Sequence, residues 1–269
     1  MPKQKIADSR STLQYLLDGA KRKGRAARIR TSFVQIRLPD GTSKPGPLRT
    51  IVKNHDAVAL DLYLLLMALA TSPPYDVTRD ARYWARALDL VDDKGDHNTG
   101  AISKAWARLE KLGLVSRARK GNQASITPRP ESGEAPPEEQ YSPPEGGADD
   151  LYFRIPFDYW LADDPLHKRL EPREKAMLLI CLSLLKKSEF KLTAENVERW
   201  YGVSEDTAQK ALKGLVDKRV LIRRDAYRAT ASAPKGYTYD VYYRLTAPFA
   251  RPRQASAPAK SGDSEASAQ

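Results

Sequence analysis

The stretch Ala105-Trp106-Ala107-Arg108-Leu109-Glu110-Lys111-Leu112-Gly113-Leu114-Val115, with Arg117 and Arg119 just beyond it, decides how this 269-residue chain is read. Its apolar positions, extended back to Ile102, recur at helical spacing, so one face is buried and the opposite face is free. Gly113 then offers the left-handed residue that ends a helix, and Leu114-Val115 opens a short strand. Arg117, Arg119 and Lys120 follow, and Gly121-Asn122 suits a tight turn returning through Ala124-Ser125-Ile126. The pattern predicts an amphipathic helix running into a basic hairpin.

Outward from this stretch, the same order of elements occurs twice, which constrains the architecture more than any single propensity. Ile36-Arg37-Leu38-Pro39 aligns with Phe153-Arg154-Ile155-Pro156, each a short alternating strand stopped by proline. Ala59 to Leu65 aligns with Ala176 to Leu182, and both read as nearly all-round apolar, central helices. Tyr83 to Leu90 aligns with Asn196 to Val203, with Thr78 and Thr193 able to cap the helix starts. Third helices are expected after Asn98 and Ser204, the second carrying Ala208, Ala211, Leu212 and Leu215 on its apolar face. Arg219 stands where the first copy has Gly113, and a second hairpin runs from Val220-Leu221-Ile222 through Arg223-Arg224 and back along Tyr237 to Leu245.

This order resembles the bacterial winged helix-turn-helix superfamily, present twice. The expected fold class is mainly α with small β wings (α+β), as tandem winged helix-turn-helix domains at residues 33–127 and 151–247. Charge frames the rest. Residues 1–49 hold 12 basic and 3 acidic side chains within an overall charge of +11, so residues 1–32 are expected to form a basic flexible arm. Residues 128–150 hold 1 basic and 7 acidic side chains among prolines and glycines and read as an acidic linker. The tail at 248–269 is expected to be disordered, and the first residues of the chain to fray.

The resemblance implies double-stranded DNA as partner, with the third helix in the major groove and the hairpin on the backbone or minor groove. The candidate contacts in the first copy are Thr99, Ser103, Lys104, Arg108 and Lys111 on the helix, with Arg117, Arg119 and Lys120 on the wing. In the second they are Thr207, Gln209, Lys210 and Lys213, then Arg223 and Arg224, with Arg228 behind. Glu205 and Asp206 in the second helix's first turn stabilise the helix start but repel phosphate, so this copy is the weaker reader and a candidate for pairing protomers as a homodimer. Lys21, Arg22, Lys23, Arg25, Arg28 and Arg30 are candidates for non-specific DNA contact by the arm.

No catalytic, cofactor or metal motif emerges. Gly19 to Gly24 has phosphate-loop glycine spacing, but Arg25-Ala26 follows where Lys and Ser or Thr are needed. His55, His97 and His167 lack partners at ligand spacing, although His97 beside Asp92, Asp93 and Asp96 offers a weak cation loop. Cys181 reads as a buried small hydrophobe. The longest apolar run, Val58 to Ala70, contains Asp61 and is too short to span a bilayer, and no secretory leader pattern is present. The expectation is a cytoplasmic protein, associated with the nucleoid or a plasmid. It is expected to be a non-enzymatic transcriptional regulator, with a replication initiator of a plasmid or mobile element as one alternative and a protein-interaction module, favoured by Glu205, Asp206 and the tyrosine-rich strand Tyr237 to Tyr243, as another.

Overall fold

The computed structural model describes residues 7–147, 150–185 and 188–250. Asp8 accepts from the Ser11 amide and starts helix α1 (Ser9–Gly19), which buries Leu13, Leu16 and Leu17. Strand β1 (Ala26–Arg30), a 3-10 turn at Thr31–Phe33, the small hairpin β2 (Gln35–Arg37) and β3 (Ser43–Pro45), and the short helix α2 (Leu48–Lys53) follow. Helix α3 (Ala57–Leu69) buries every side chain from Leu62 to Ala68, as an all-round apolar sequence demands. β4 (Val77–Arg79), α4 (Ala81–Ala87), α5 (Thr99–Lys111), β5 (Val115–Lys120) and β6 (Gln123–Pro128) complete the first half. The second half contains β7 (Tyr152–Pro156), α6 (Asp158–Leu161), α7 (Leu166–Arg169), α8 (Pro172–Ser183), β8 (Phe190–Lys191), α9 (Ala194–Tyr201), α10 (Glu205–Asp217), β9 (Leu221–Ala229) and β10 (Tyr237–Leu245).

The fold is a mixture of helices and small antiparallel sheets in which one topology occurs twice. α3, β4, α4, α5 and the β5–β6 hairpin correspond to α8, β8, α9, α10 and the β9–β10 hairpin. Both three-stranded sheets place the last strand in the middle, as β4-β6-β5 and β8-β10-β9. Asn98 and Ser204 cap α5 and α10, and Thr193 caps α9. Thr78 does not cap α4: it lies in β4 with its hydroxyl bonded to Asp76 and Ser125, and Asp80 takes the cap instead. Both third helices exit through a left-handed residue, Gly113 at φ 70° and Arg219 at φ 58°. A Cβ on Gly113 would lie 2.3 Å from the Gly133 carbonyl oxygen, so glycine is required there. Arg219 accepts the left-handed backbone at a cost of about 1 kcal/mol.

The described residues of the expected arm and linker, 7–32, 128–147 and 150, are folded onto the rest of the chain, and their charges explain why. Arg22 donates to the carbonyls of Met67 (2.9 Å), Ala68 (3.3 Å) and Ala70 (2.8 Å), capping the C-terminal end of α3 with a cation. Arg30 donates to Glu131 at 2.8 Å and to Asp150 at 2.5 Å, so two carboxylates of the acidic segment neutralise one arginine of the basic one. Glu131 is fully buried, and burial raises its carboxyl pKa against the pull of Arg30. Tyr141 is buried too, edge-on to Tyr75 at 5.5 Å. Phe249 of the expected tail is buried, while residues 251–269 lie outside the described residues.

The repeated first strand is also placed differently from the expectation. Phe153 to Pro156 corresponds to β1, not to residues 36–39, and the two strands pair with each other. In this antiparallel pair Ala27 opposes Ile155, Arg28 opposes Arg154 and Ile29 opposes Phe153. The two arginines thus sit at the centre of a local two-fold joining the halves. One continuous hydrophobic core runs through both halves. Between them Lys175 of α8 donates to both carboxylate oxygens of Asp61 on α3, at 2.8 and 2.7 Å. Burial raises the Asp61 pKa while the lysine opposes the shift.

Candidate nucleic-acid interface

α5 is held by its buried face. Ile102, Ala105, Trp106 and Leu109 pack inward, with Trp106 edge-on to Trp84 at 5.2 Å. This leaves Ser103, Lys104, Ala107 and Lys111 exposed in one row, with Thr99 half-buried at its start. The Ser103 hydroxyl donates to the Thr99 carbonyl at 3.1 Å, keeping its oxygen as an acceptor. On β5, Arg117 and Arg119 stand opposite Ile126 and Ala124, hence on the sheet face that packs toward α5. Gly121, at φ 60°, forms the two-residue turn with Asn122.

Among the described residues, Lys104, Lys111 and Arg119 have no carboxylate in salt-bridge reach, whereas three other candidates do. Arg108 grips both oxygens of Asp56, the cap of α3, and so staples α5 to the core helix. Arg117 pairs with Glu110 of α5 at 2.6 Å. Lys120 lies on the opposite face of the sheet from Arg117 and Arg119, bonded at 2.7 Å to Asp76. Hydrogen bonds from Lys120, Ser125 and Thr78 hold the Asp76 carboxyl at about 2. Exposed pairs of this kind are worth at most about 1 kcal/mol, so a phosphate displaces the carboxylate of Glu110 from Arg117 at small cost.

The second half offers less free charge. α10 buries Ala208, Ala211, Leu212 and Leu215 and exposes Gln209, Lys210 and Lys213. Gln209 donates to Glu205 at 3.0 Å and Lys210 pairs with Asp206 at 2.7 Å. Thr207 is half-buried and accepts from the Ser204 hydroxyl at 2.8 Å. Arg223 pairs with Asp225 at 3.0 Å and Arg224 with Glu189 at 2.8 Å. Lys213 is the one helix candidate of this half with no carboxylate in salt-bridge reach among the described residues.

Of the six expected arm contacts, Lys21 and Lys23 are exposed and Arg22 and Arg30 are consumed as described. Arg25 pairs with Asp18 at 2.9 Å and lies 5.4 Å from the Phe157 ring centre. Arg28 lies 5.4 Å from the Tyr152 ring centre and donates to the Pro144 carbonyl at 3.3 Å. Arg25, Arg28 and Arg30 build the junction between the halves and Arg22 caps α3, so none of the four is available as a loose arm.

One feature escaped the sequence reading. A cleft of about 550 Å³ opens between the halves, where Arg49, Lys53 and Arg173 meet the starts of α3, α8 and α10. Arg49 and Lys53 have no carboxylate in salt-bridge reach among the described residues, and Arg173 pairs with Glu171 at 2.7 Å. Its residues are scattered from Arg49 to Thr207, so no local charge run announces it. The tyrosine-rich strand from Tyr237 to Tyr243 presents Tyr237 and Tyr239, packed against Tyr227, as exposed rings on the β9–β10 hairpin.

Among the described residues no cluster of His, Cys, Asp and Glu has the geometry to hold a metal. Asp92 instead accepts from the backbone amides of Lys94 and Asp96, closing the His97 loop on itself. Burial raises the Cys181 thiol pKa and lowers that of His167 to about 4. Among the described residues no helix is long and apolar enough to cross a membrane. In comparisons with protein-family models, curated proteins and solved structures, nothing matched the chain.

Proposed function

We propose that this chain is a non-enzymatic, sequence-specific duplex-DNA-binding protein, a transcriptional regulator built from two winged helix-turn-helix units. The observation that carries the proposal is the exposed row on α5, with Lys104 and Lys111 free of carboxylates among the described residues and Arg119 of the adjoining hairpin on the sheet face toward α5. A helix of that size fits a major groove, and cations beside it meet the flanking phosphates. The second unit is joined to the first through β1–β7 and the Asp61–Lys175 pair, so one chain presents two reading helices at a set separation, as a dimer does.

Selection of bound genomic fragments tests this directly. The expected result is enrichment of one sequence, with affinity for it reduced when Lys104 and Arg119 are replaced by alanine. Failure to shift any duplex at low salt overturns the proposal. The pairing of Lys210 with Asp206 favours a second reading of α10 alone, as an association surface instead of a base reader. Enriched sites repeated beside a replication origin, not single sites at promoters, would make the protein a replication initiator.

A further inference from the structure

The outer part of the β9–β10 hairpin lies beyond Arg223 and Arg224, and its tyrosines take no part in the duplex binding proposed above. β8 pairs only with Tyr242 and Tyr243, so the ribbon from Ala226 to Tyr239 extends beyond the third strand. Tyr227 directly opposes Tyr239, and Tyr237 lies on the same face two pairs further out, opposite Ala229. Their rings touch, with centres 5.5 Å apart for Tyr227 and Tyr237 and 5.9 Å for Tyr227 and Tyr239. They are nevertheless 69%, 42% and 58% exposed, while Tyr243 on the same strand is only 6% exposed against the core. Apolar rings left in water on a projecting ribbon are unfavourable for the isolated chain, by roughly 25 cal/mol for each Å² that could be covered.

The surroundings specify what covers them. Residues 226–239 contain Arg228 and Lys235 and no carboxylate, and the bordering carboxylates Asp225 and Asp240 are paired with Arg223 and Lys191, so this part of the ribbon carries net positive charge. Neither cation has a carboxylate in salt-bridge reach among the described residues. The same residues include no Leu, Ile, Val, Met or Phe, so the patch lacks aliphatic anchors for a protein core. Flat aromatic faces, with Lys235 in the loop at the ribbon's tip and Arg228 on the ribbon's other face, match a polyanion that carries its own flat rings. Duplex DNA hides those rings within its stack, whereas a single strand exposes them.

We propose that the tyrosine face of this hairpin binds single-stranded DNA, stacking unpaired bases on Tyr227, Tyr237 and Tyr239 while Lys235 at the tip, and Arg228 reaching round the ribbon edge from the other face, meet the backbone. This goes beyond the duplex reading and stands or falls separately from it, because α5 and β5 take no part. The test measures fluorescence anisotropy of a labelled oligothymidine strand and of a labelled duplex with the full chain. It compares wild type, a variant with all three tyrosines changed to alanine, and one with all three changed to phenylalanine.

The alanine variant is expected to bind the single strand at least about 10-fold more weakly. Its duplex affinity stays within about 2-fold, and the phenylalanine variant retains single-strand affinity because the stacking face is kept. An unchanged thermal midpoint in both variants accompanies this result, since the rings are exposed. The proposal is overturned by a wild type that ignores the single strand, or by alanine and phenylalanine variants that lose affinity equally. It is overturned equally by an alanine variant whose single-strand affinity is intact, including one that instead loses a homodimer in light scattering.

Discussion

The exposed faces of α5 and α10, produced by one packing plan, carry different chemistry. Each helix buries four side chains at helical spacing and starts from a side-chain cap. Yet α5 leaves Lys104 and Lys111 free, while α10 opens with Glu205 and Asp206, which take up Gln209 and Lys210. The hairpins diverge in the same way. β5–β6 is short, basic and without aromatic residues, whereas β9–β10 has nine-residue strands and an exposed tyrosine face. The buried period specifies the fold, and the exposed complement is free to take a separate task in each copy.

The comparison presupposes that the two units are held as one body, and the largest expected effect breaks that joint. Asp61→Ala leaves Lys175 buried without its partner and should cost about 3–5 kcal/mol in chemical denaturation. A loss below about 1 kcal/mol would show that the halves do not depend on the pair. A smaller effect sharpens the contrast between the helix exits. Gly113→Ala should destabilise by about 1–3 kcal/mol, because the added Cβ meets the Gly133 carbonyl in a left-handed turn. Arg219→Gly, at the matching turn, should instead stabilise by about 1 kcal/mol through relief of the same backbone strain. Equal signs for the two substitutions would mean that the exits are not equivalent.

The smallest effect is confined to the first hairpin. Its Asp76 carboxyl is lowered from 3.8 to about 2 by bonds to Lys120, Ser125 and Thr78. A depressed folded-state pKa stabilises above the unfolded value and loses that contribution as acid protonates the group. Stability should therefore fall between pH 3.8 and about 2, and Asp76→Asn should flatten that part of the acid profile. An identical profile for the variant would remove Asp76 as an organiser of the hairpin.

What the chain reveals about itself follows from the range over which each signal acts. The runs around Leu62 and Leu178, the period of α5 and the Gly113 turn are local and were readable. β1 was not, because Ala26 and Ala27 carry little strand preference and the flanking arginines read as a solvated arm. Their partners lie far away in sequence: Arg30 meets Glu131 and Asp150, and Arg22 meets the end of α3. The site was half legible for the same reason. Helical spacing places Lys104 and Lys111 on the open face, but only the folded chain brings Asp56 to Arg108 and Asp76 to Lys120. Strand alternation could have separated Arg119 from Lys120; the charge run obscured it.

The most direct test of the account is the salt dependence of duplex binding, measured for wild type, for the Lys104→Ala, Lys111→Ala and Arg119→Ala triple variant, and for Lys213→Ala. Each lost phosphate contact removes about 0.9 from the slope of log affinity against log salt. The predicted result is a slope shallower by about 2–3 for the triple variant and by less than about 1 for Lys213→Ala. An unchanged slope for the triple variant, with wild-type affinity at moderate salt, would contradict the assignment of α5 and its hairpin as the duplex-binding surface.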